Sequence, residues 1–372
     1  MRMPGARAVD AERVRAAAGA VVEPEAGLPL ADLGLVGEVS VHAGGRVHVN
    51  VGLLAREYPS AEPLRAAVRA SVGRIDGVRR VSVDLAPLPE RARAELGERL
   101  RATSPPVART PRGYAIASGK GGVGKSTVAA NLAAALAAGG QRVGLLDADV
   151  WGYSVPRLFG VRRNPTAIGG LMLPVPAHGV RLMSVGFFVD DEQPVMWRGP
   201  MLHKALEQFV TDVRWGELDV FLLDLPPGTG DITLSLLELV PDAAVIAVTT
   251  PQPAARSVAS RVLRMARETG TPIAGVIENM STAVCAHCGE GTSLFGSGGG
   301  AALAEGAQTE LLGQVPLDLA LRLAGDEGVP AVVGAPDTPA AAELTRIAAE
   351  LPAVRRSLLG RSLPLTVLGP RT

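Results

Sequence analysis

Three groups of residues carry most of the chemistry available to this 372-residue chain. The first is Gly119-Lys120-Gly121-Gly122-Val123-Gly124-Lys125-Ser126-Thr127, which fits G-x-x-x-x-G-K-[ST]. A short apolar run, Tyr114–Ser118, precedes it, and a helical run, Thr127–Ala138, follows. Strand before and helix after is the context in which such a loop binds phosphate. The glycines let backbone N–H groups approach phosphate oxygens, and the helix N-terminus adds partial positive charge. Lys125 is then placed for the β- and γ-phosphates and Ser126 for Mg²⁺. Lys120 has no task in a plain phosphate loop.

The second group is acidic. The run Arg142–Leu146 ends in Asp147-Ala148-Asp149, and Val220–Leu223 ends in Asp224 before Leu225-Pro226-Pro227-Gly228-Thr229-Gly230-Asp231. An acid at the end of an apolar strand beside a phosphate loop can hold Mg²⁺ through water, or orient the attacking water. Asp224 is the Walker-B-type candidate and is counted with the catalytic residues Lys120, Lys125 and Asp149, and Asp149 is expected to position the water. Asp147 is expected in the metal's coordination shell or supporting Lys125. Asp is also a favoured helix cap, and that plainer reading is taken for Asp231. The stiff Pro226-Pro227 followed by flexible Gly228-Thr229-Gly230 suits a segment that senses the γ-phosphate.

The third group is Cys285-Ala286-His287-Cys288, which holds the only two cysteines of the chain. Two thiolates on one tight turn chelate a soft metal. Zinc and iron–sulfur clusters usually take four ligands. A redox Cys-x-x-Cys belongs at the start of a thioredoxin-like unit, which is not the context here. Two-fold symmetry supplies four thiolates most simply, with two chains each giving Cys285 and Cys288. Bound zinc and chance loop thiols are the other readings.

These groups need a scaffold that brings strand ends together. From Gly113 onward, apolar strands alternate with helices: Tyr114–Ser118, Arg142–Asp147, Arg181–Val185, Val220–Leu225, Ala243–Thr249 and Pro272–Glu278, with helices near Pro200–Val213 and Pro253–Thr269. That alternation predicts an α/β fold with a mainly parallel sheet and helices on both faces. Ligands of such sheets sit at the carboxyl ends of the strands. Residues 1–90 predict a small α+β domain in the order α-β-β-α-β, with a hairpin turning at Gly44-Gly45. Residues 91–112 predict a polar helix and a Pro-rich linker, residues 113–352 the phosphate-loop domain, and residues 353–372 an irregular tail.

Composition removes several classes. Basic and acidic residues balance at 37 each, which argues against a sequence-blind nucleic-acid binder. Aromatics are 3%, too few for a base-stacking surface. No apolar run approaches the ~18 residues of a membrane span. Asp10 and Glu12 interrupt the only stretch where a signal peptide would lie. Two cysteines three positions apart cannot staple a secreted chain. The expectation is a cytoplasmic protein with neither nucleic acid nor membrane as partner.

The loop Gly119–Ser126 resembles the deviant phosphate loop of the MinD, ParA and nitrogenase-iron-protein class. In that class the early lysine, here Lys120, reaches across a dimer to the partner's nucleotide, so the resemblance implies an ATP-sandwich homodimer. It also places the Thr249–Gln252 and Glu278–Met280 segments near the base, with Asn279 as an amide contact to adenine. GKGGVGKST, DADVWGYS, DLPPGTGD, TTPQ, GVIENMS, CAHCG, the later Phe295–Gly300 and Leu312–Asp318 occur in that order. As a set they resemble the Mrp/ApbC family of iron–sulfur cluster carrier ATPases over about residues 114–330. The resemblance implies ATP hydrolysis, a homodimer, a labile 4Fe–4S cluster bridged by Cys285 and Cys288 of both subunits, and delivery of that cluster to apoproteins. A MinD/ParA-like positioning ATPase is the alternative. It needs a basic amphipathic helix, and only the short tail around Arg355–Leu363 offers one.

Residues 10–87 resemble the small domain often fused ahead of such carriers, with one departure. The family commonly has a Pro-Gly-Cys-Pro turn where this chain reads Tyr58-Pro59-Ser60-Ala61-Glu62-Pro63. Without the thiol, a packing or docking role is expected of this domain. The family's Tyr-Gly-Pro is Trp151-Gly152-Tyr153 here, and Trp197–Met201 matches a further family segment without an evident physical role.

Overall fold

The computed structural model describes residues 9–104, 107, 110, 112–150, 152–189, 199–284, 288 and 290–353. Pro105-Pro106 of the expected linker, Trp151, Trp197-Arg198, Cys285, His287 and nearly all of the expected tail lie outside these residues.

The N-terminal part runs α1 (Ala11–Gly19), α2 (Leu30–Leu33), β1 (Val36–His42), β2 (Arg46–Leu53), α3 (Ala61–Gly73), β3 (Arg80–Pro87) and α4 (Glu90–Thr103). β1 and β2 pair antiparallel, and β3 returns parallel to β2 after α3 crosses over. The alternation in Arg46–Leu53 does what period 2 predicts: Val47, Val49, Val51 and Leu53 are buried on one face. Leu64, Val68 and Val72 of α3, spaced at four, cover that face.

The C-terminal part runs β4 (Arg112–Ser118), α5 (Lys125–Ala138), β5 (Val143–Asp147), α6 (Val155–Leu158), β6 (Ala167–Ile168), β7 (Leu171–Met172), β8 (Val175–Ala177), β9 (Val180–Ser184), α7 (Gly199–Thr211), β10 (Val220–Asp224), α8 (Asp231–Leu239), β11 (Ala243–Thr249), α9 (Pro253–Glu268), β12 (Ile273–Val284), β13 (Gly291–Thr292), α10 (Gly299–Gly306), β14 (Leu311–Leu317), α11 (Leu319–Glu327), α12 (Ala331–Gly334) and α13 (Pro339–Glu350). The sheet order is β13-β12-β11-β4-β10-β5-β9-β8, with β14 also on β12. All pairings are parallel except the two edges, β8 on β9 and β13 on β12. Every residue of β5, β10 and β11 is buried, as strands covered on both faces must be. α5 is apolar on every side and is buried along most of its length.

Three features differ from the sequence expectation. β12 does not stop at Glu278 but continues to Val284. Residues 311–317, read only as a motif, form strand β14 along β12. Helix α4 does more than lead into a linker. Leu96 and Leu100 join the N-terminal core together with Ile168 and Leu171 from the β6–β7 hairpin and Leu173 just after it. A Cβ at Gly97 would strike the Ile168 carbonyl, so glycine lets helix and hairpin meet. Polar contacts reinforce this junction: Arg214 Nη1 donates to the Ala26 carbonyl at 2.5 Å, and Arg163 lies 3.0 Å from Glu25.

Candidate nucleotide and cysteine site

Parallel pairing sets the acids in one row. Asp224 at the end of β10 is in register with Asp147 on β5 and with Ile116 on β4, and Asp147 is in register with Ser184 on β9. The phosphate loop leaves β4 beside them and ends where α5 begins at Lys125. Gly122 and Gly124 adopt φ of 78° and 80°, a region that glycine enters without steric cost. Gly119 lies so close to α9 that a Cβ there would meet the backbone of Val258 and Ala259. Gly121 and Gly122 are exposed with open space where a Cβ would stand, so the outer rim of the loop can take an anion.

Lys125 turns inward. Its Nζ lies 2.6 Å from Asp224 Oδ1, 3.6 Å from Asp149 Oδ2 and 3.2 Å from Ser126 Oγ, and its side chain is only 5% exposed. Burial raises the pKa of Asp224, and the Lys125 charge opposes that shift. Burial also raises the pKa of Asp147, helped by the negative charge of Asp224. Asp147 accepts from Ser184 Oγ at 2.9 Å and from the Asp149 and Val155 N–H groups at 3.1 and 3.3 Å. Both of its oxygens are therefore engaged in fixing the turn after β5. Asp149, held by that turn, accepts from Gly152 N–H at 3.2 Å.

The donor set fits Mg²⁺. Asp224 Oδ2 is buried without a hydrogen-bond partner among the described residues, and its carboxylate neighbours the Ser126 hydroxyl. A free carboxylate oxygen beside a hydroxyl is the hard-oxygen chemistry Mg²⁺ takes. This favours Asp224 with Ser126 over the expected Asp147, whose oxygens are already committed.

Lys120 Nζ donates to Gln252 Oε1 at 3.1 Å, at the cap of α9. The Gly228 N–H donates to the Ser118 carbonyl at 2.8 Å, tying the segment after Asp224 to the base of the phosphate loop. Thr229 and Gly230 beyond it are exposed. Asp231 is the first residue of α8, with Gly230 at the cap position. It thus places negative charge in the first turn and does not act as the cap.

Asn279 is buried, and its Nδ2 donates to the Val123 carbonyl at 2.9 Å. A Cβ on Gly124 would collide with this amide, so Gly124 permits the approach. Expected beside the base, Asn279 reaches the phosphate loop itself. Beyond it, β12 pairs antiparallel with β13, Ala283 opposite Thr292 and Val284 opposite Gly291. The Cys-x-x-Cys segment therefore lies in the connection of an edge hairpin. Cys288 is exposed there, and Cys285 lies outside the described residues.

Sequence reasoning missed Ser184, which a lone hydroxyl at the end of an apolar strand could have signalled. It also missed the Gln252 contact with Lys120. Glu278, read as the end of a strand and placed near the base, is buried and accepts from Gln314 Nε2 at 2.6 Å and from Gly300 N–H. That contact depends on β14, which had not been foreseen as a strand.

Strand, glycine loop and buried lysine at a helix start, with acids on the neighbouring strands, define a P-loop NTPase. Residues 110–352 match the model of a family described as NUBPL iron-transfer P-loop NTPase, and residues 11–85 match that of an iron–sulfur cluster assembly protein family. The chain is 45% identical over 365 residues to the iron–sulfur cluster carrier protein of Mycobacterium tuberculosis, covering 95% of this chain and 96% of that one. It is 42% identical over 314 residues to the protein of the same name from Bacillus subtilis, covering 82% and 88%. Among solved structures, a nucleotide-binding protein from Archaeoglobus fulgidus in complex with ADP is similar at 35% identity and a TM-score of 0.54, covering 63% of this chain and 92% of that one. The chain belongs to the family of iron–sulfur cluster carrier P-loop NTPases.

Proposed function

We propose that the protein hydrolyses ATP and carries a 4Fe–4S cluster. In this reading Cys285 and Cys288 of two subunits hold the cluster at a homodimer interface, and it passes to apoproteins. The observation that carries the proposal is the position of the cysteine hairpin. It continues the strand whose Asn279 grips the phosphate loop, so nucleotide and cargo sites share one element. The zero net charge suits a protein-to-protein carrier in the cytoplasm better than a binder of DNA or membrane.

The residues divide the work as follows. Backbone N–H groups of Gly121–Lys125 and the start of α5 receive the phosphates. Lys125 exchanges its Asp224 partner for a β- or γ-phosphate oxygen. Bound Mg²⁺, held by Ser126 and Asp224, would neutralise phosphate charge. Asp149 orients the attacking water and accepts its proton as the water oxygen bonds to the γ-phosphorus and the bond to the bridging oxygen breaks. Lys120, released from Gln252, stabilises the partner subunit's nucleotide. Among the described residues, no helix is long and apolar enough to cross a membrane.

Anaerobic reconstitution tests the cargo half. Wild type is expected to take up iron and develop charge-transfer absorbance that Cys285→Ser lacks. Equal iron uptake by the two proteins refutes it.

A further inference from the structure

A hydrogen bond from Asn279 ties the strand that leads to the cysteine hairpin to the phosphate loop. Asn279 Nδ2 donates to the Val123 carbonyl, and Met280 follows at φ 57°, a left-handed conformation that costs an L-residue energy. The ladder breaks at the same place. Asn279 is opposite Val315 and Ala283 is opposite Leu317, so four steps of β12 span two of β14. A bulge of this kind re-aims the strand that leaves it. Ser281 pins the far side by donating to the Val315 carbonyl at 3.1 Å. The segment is thus anchored at Asn279 and Ser281, strained at Met280, and followed by the paired residues Ala283 and Val284 before the cysteines.

We propose that Asn279 is a positioning residue that transmits the state of the phosphate loop to the cysteine hairpin, with the Met280 bulge as the hinge. The Val123 carbonyl belongs to the loop that receives phosphate, so a displacement of that carbonyl on nucleotide binding would draw Asn279 with it. Ser281, held to β14 by one hydrogen bond, is the pivot: movement of Asn279 on one side of it swings the strand that leaves on the other side, toward β13. The idea rests on the carrier reading for what the hairpin holds, but the coupling itself exists in the cluster-free chain.

The test is amide hydrogen exchange at Ser281–Val284 and Gly291–Thr292 in cluster-free, full-length protein. It is measured without nucleotide and with saturating Mg²⁺ and the β,γ-imido analogue of ATP. Coupling between sites commonly amounts to about 5–150-fold. The nucleotide is expected to change exchange in wild type by about fivefold or more, within that range. Asn279→Asp keeps the shape but presents an acceptor to the Val123 carbonyl, and should reduce the change to less than about twofold, below that coupling range. Asn279→Ala removes the donor outright and serves if the Asp variant does not fold. Working at saturation, with bound nucleotide measured directly, separates coupling from an adenine contact, which would alter only affinity. Full nucleotide response in a folded Asn279 variant overturns the proposal, as does an unresponsive wild-type hairpin. Neither result touches cluster binding, which the comparison of wild type with Cys285→Ser decides separately.

Discussion

Removing the Lys125 side chain should destabilise the protein as well as disable it. Lys125 is the only cation paired with Asp224 among the described residues, at 2.6 Å, with both side chains out of water. Taking one partner from a buried pair leaves an uncompensated charge and costs about 3–5 kcal/mol. Lys125→Ala should therefore lower unfolding free energy by about that amount in urea titrations followed by Trp215 fluorescence. Trp215 suits the assay because it is buried beside Phe221 of β10, with ring centroids 4.9 Å apart. Adding Asp224→Asn removes the stranded charge, so the double variant should recover at least about 1 kcal/mol relative to the sum of the singles. The sign with pH follows from Asp224. Burial raises its pKa and Lys125 opposes the rise, so without Lys125 it rises further. The penalty should be greatest at alkaline pH, where the carboxylate must be ionised, and should shrink as falling pH protonates it. Single-variant effects that add to within about 0.5 kcal/mol, or a penalty independent of pH, would refute the reasoning.

Other expectations follow from the same contacts. Glu23 is buried with its pKa raised to about 7, chiefly by burial, and Tyr58, Glu25 and Arg214 are its neighbours. Its folded state holds the proton more tightly, so it destabilises the fold increasingly as pH rises from 4.5 through 7. Glu23→Gln should then raise the melting temperature more at pH ~8 than at pH ~5; equal shifts would contradict the assignment. Leu171→Ala removes an apolar contact from the β6–β7 hairpin and should cost about 2–5 kcal/mol. If the hairpin anchors the N-terminal domain, limited proteolysis should cleave near α4 faster in this variant. Lys120→Ala should abolish ATP-dependent dimerisation measured by light scattering, and unchanged dimerisation would remove Lys120 from the interface.

The parts visible in the sequence were those governed by local pattern. The short apolar runs of β5, β10 and β11 read as covered strands by their length and their alternation with helices, and the glycine loop announces itself. Asp147 and Asp224 were legible as strand-end acids, but their roles were not. Which carboxylate keeps a free oxygen depends on Ser184, which strand register brings beside Asp147, and on N–H groups of the loop that follows β5. The extension of β12 was hidden because Asn279-Met280-Ser281-Thr282 reads as a polar turn. Its strand character comes from β13 and β14, which are distant or very short. Helix α4 looked solvent-facing because two leucines and a glycine make a narrow apolar stripe. Only the hairpin at residues 167–172 shows what that stripe packs against.

Native mass spectrometry under anaerobic conditions, after reconstitution with iron and sulfide, tests the central claim most directly. The account predicts one 4Fe–4S cluster for every two chains, carried only by the dimer and lost from Cys285→Ser and Cys288→Ser. A cluster held by single chains, or equal iron on wild type and both variants, would contradict it.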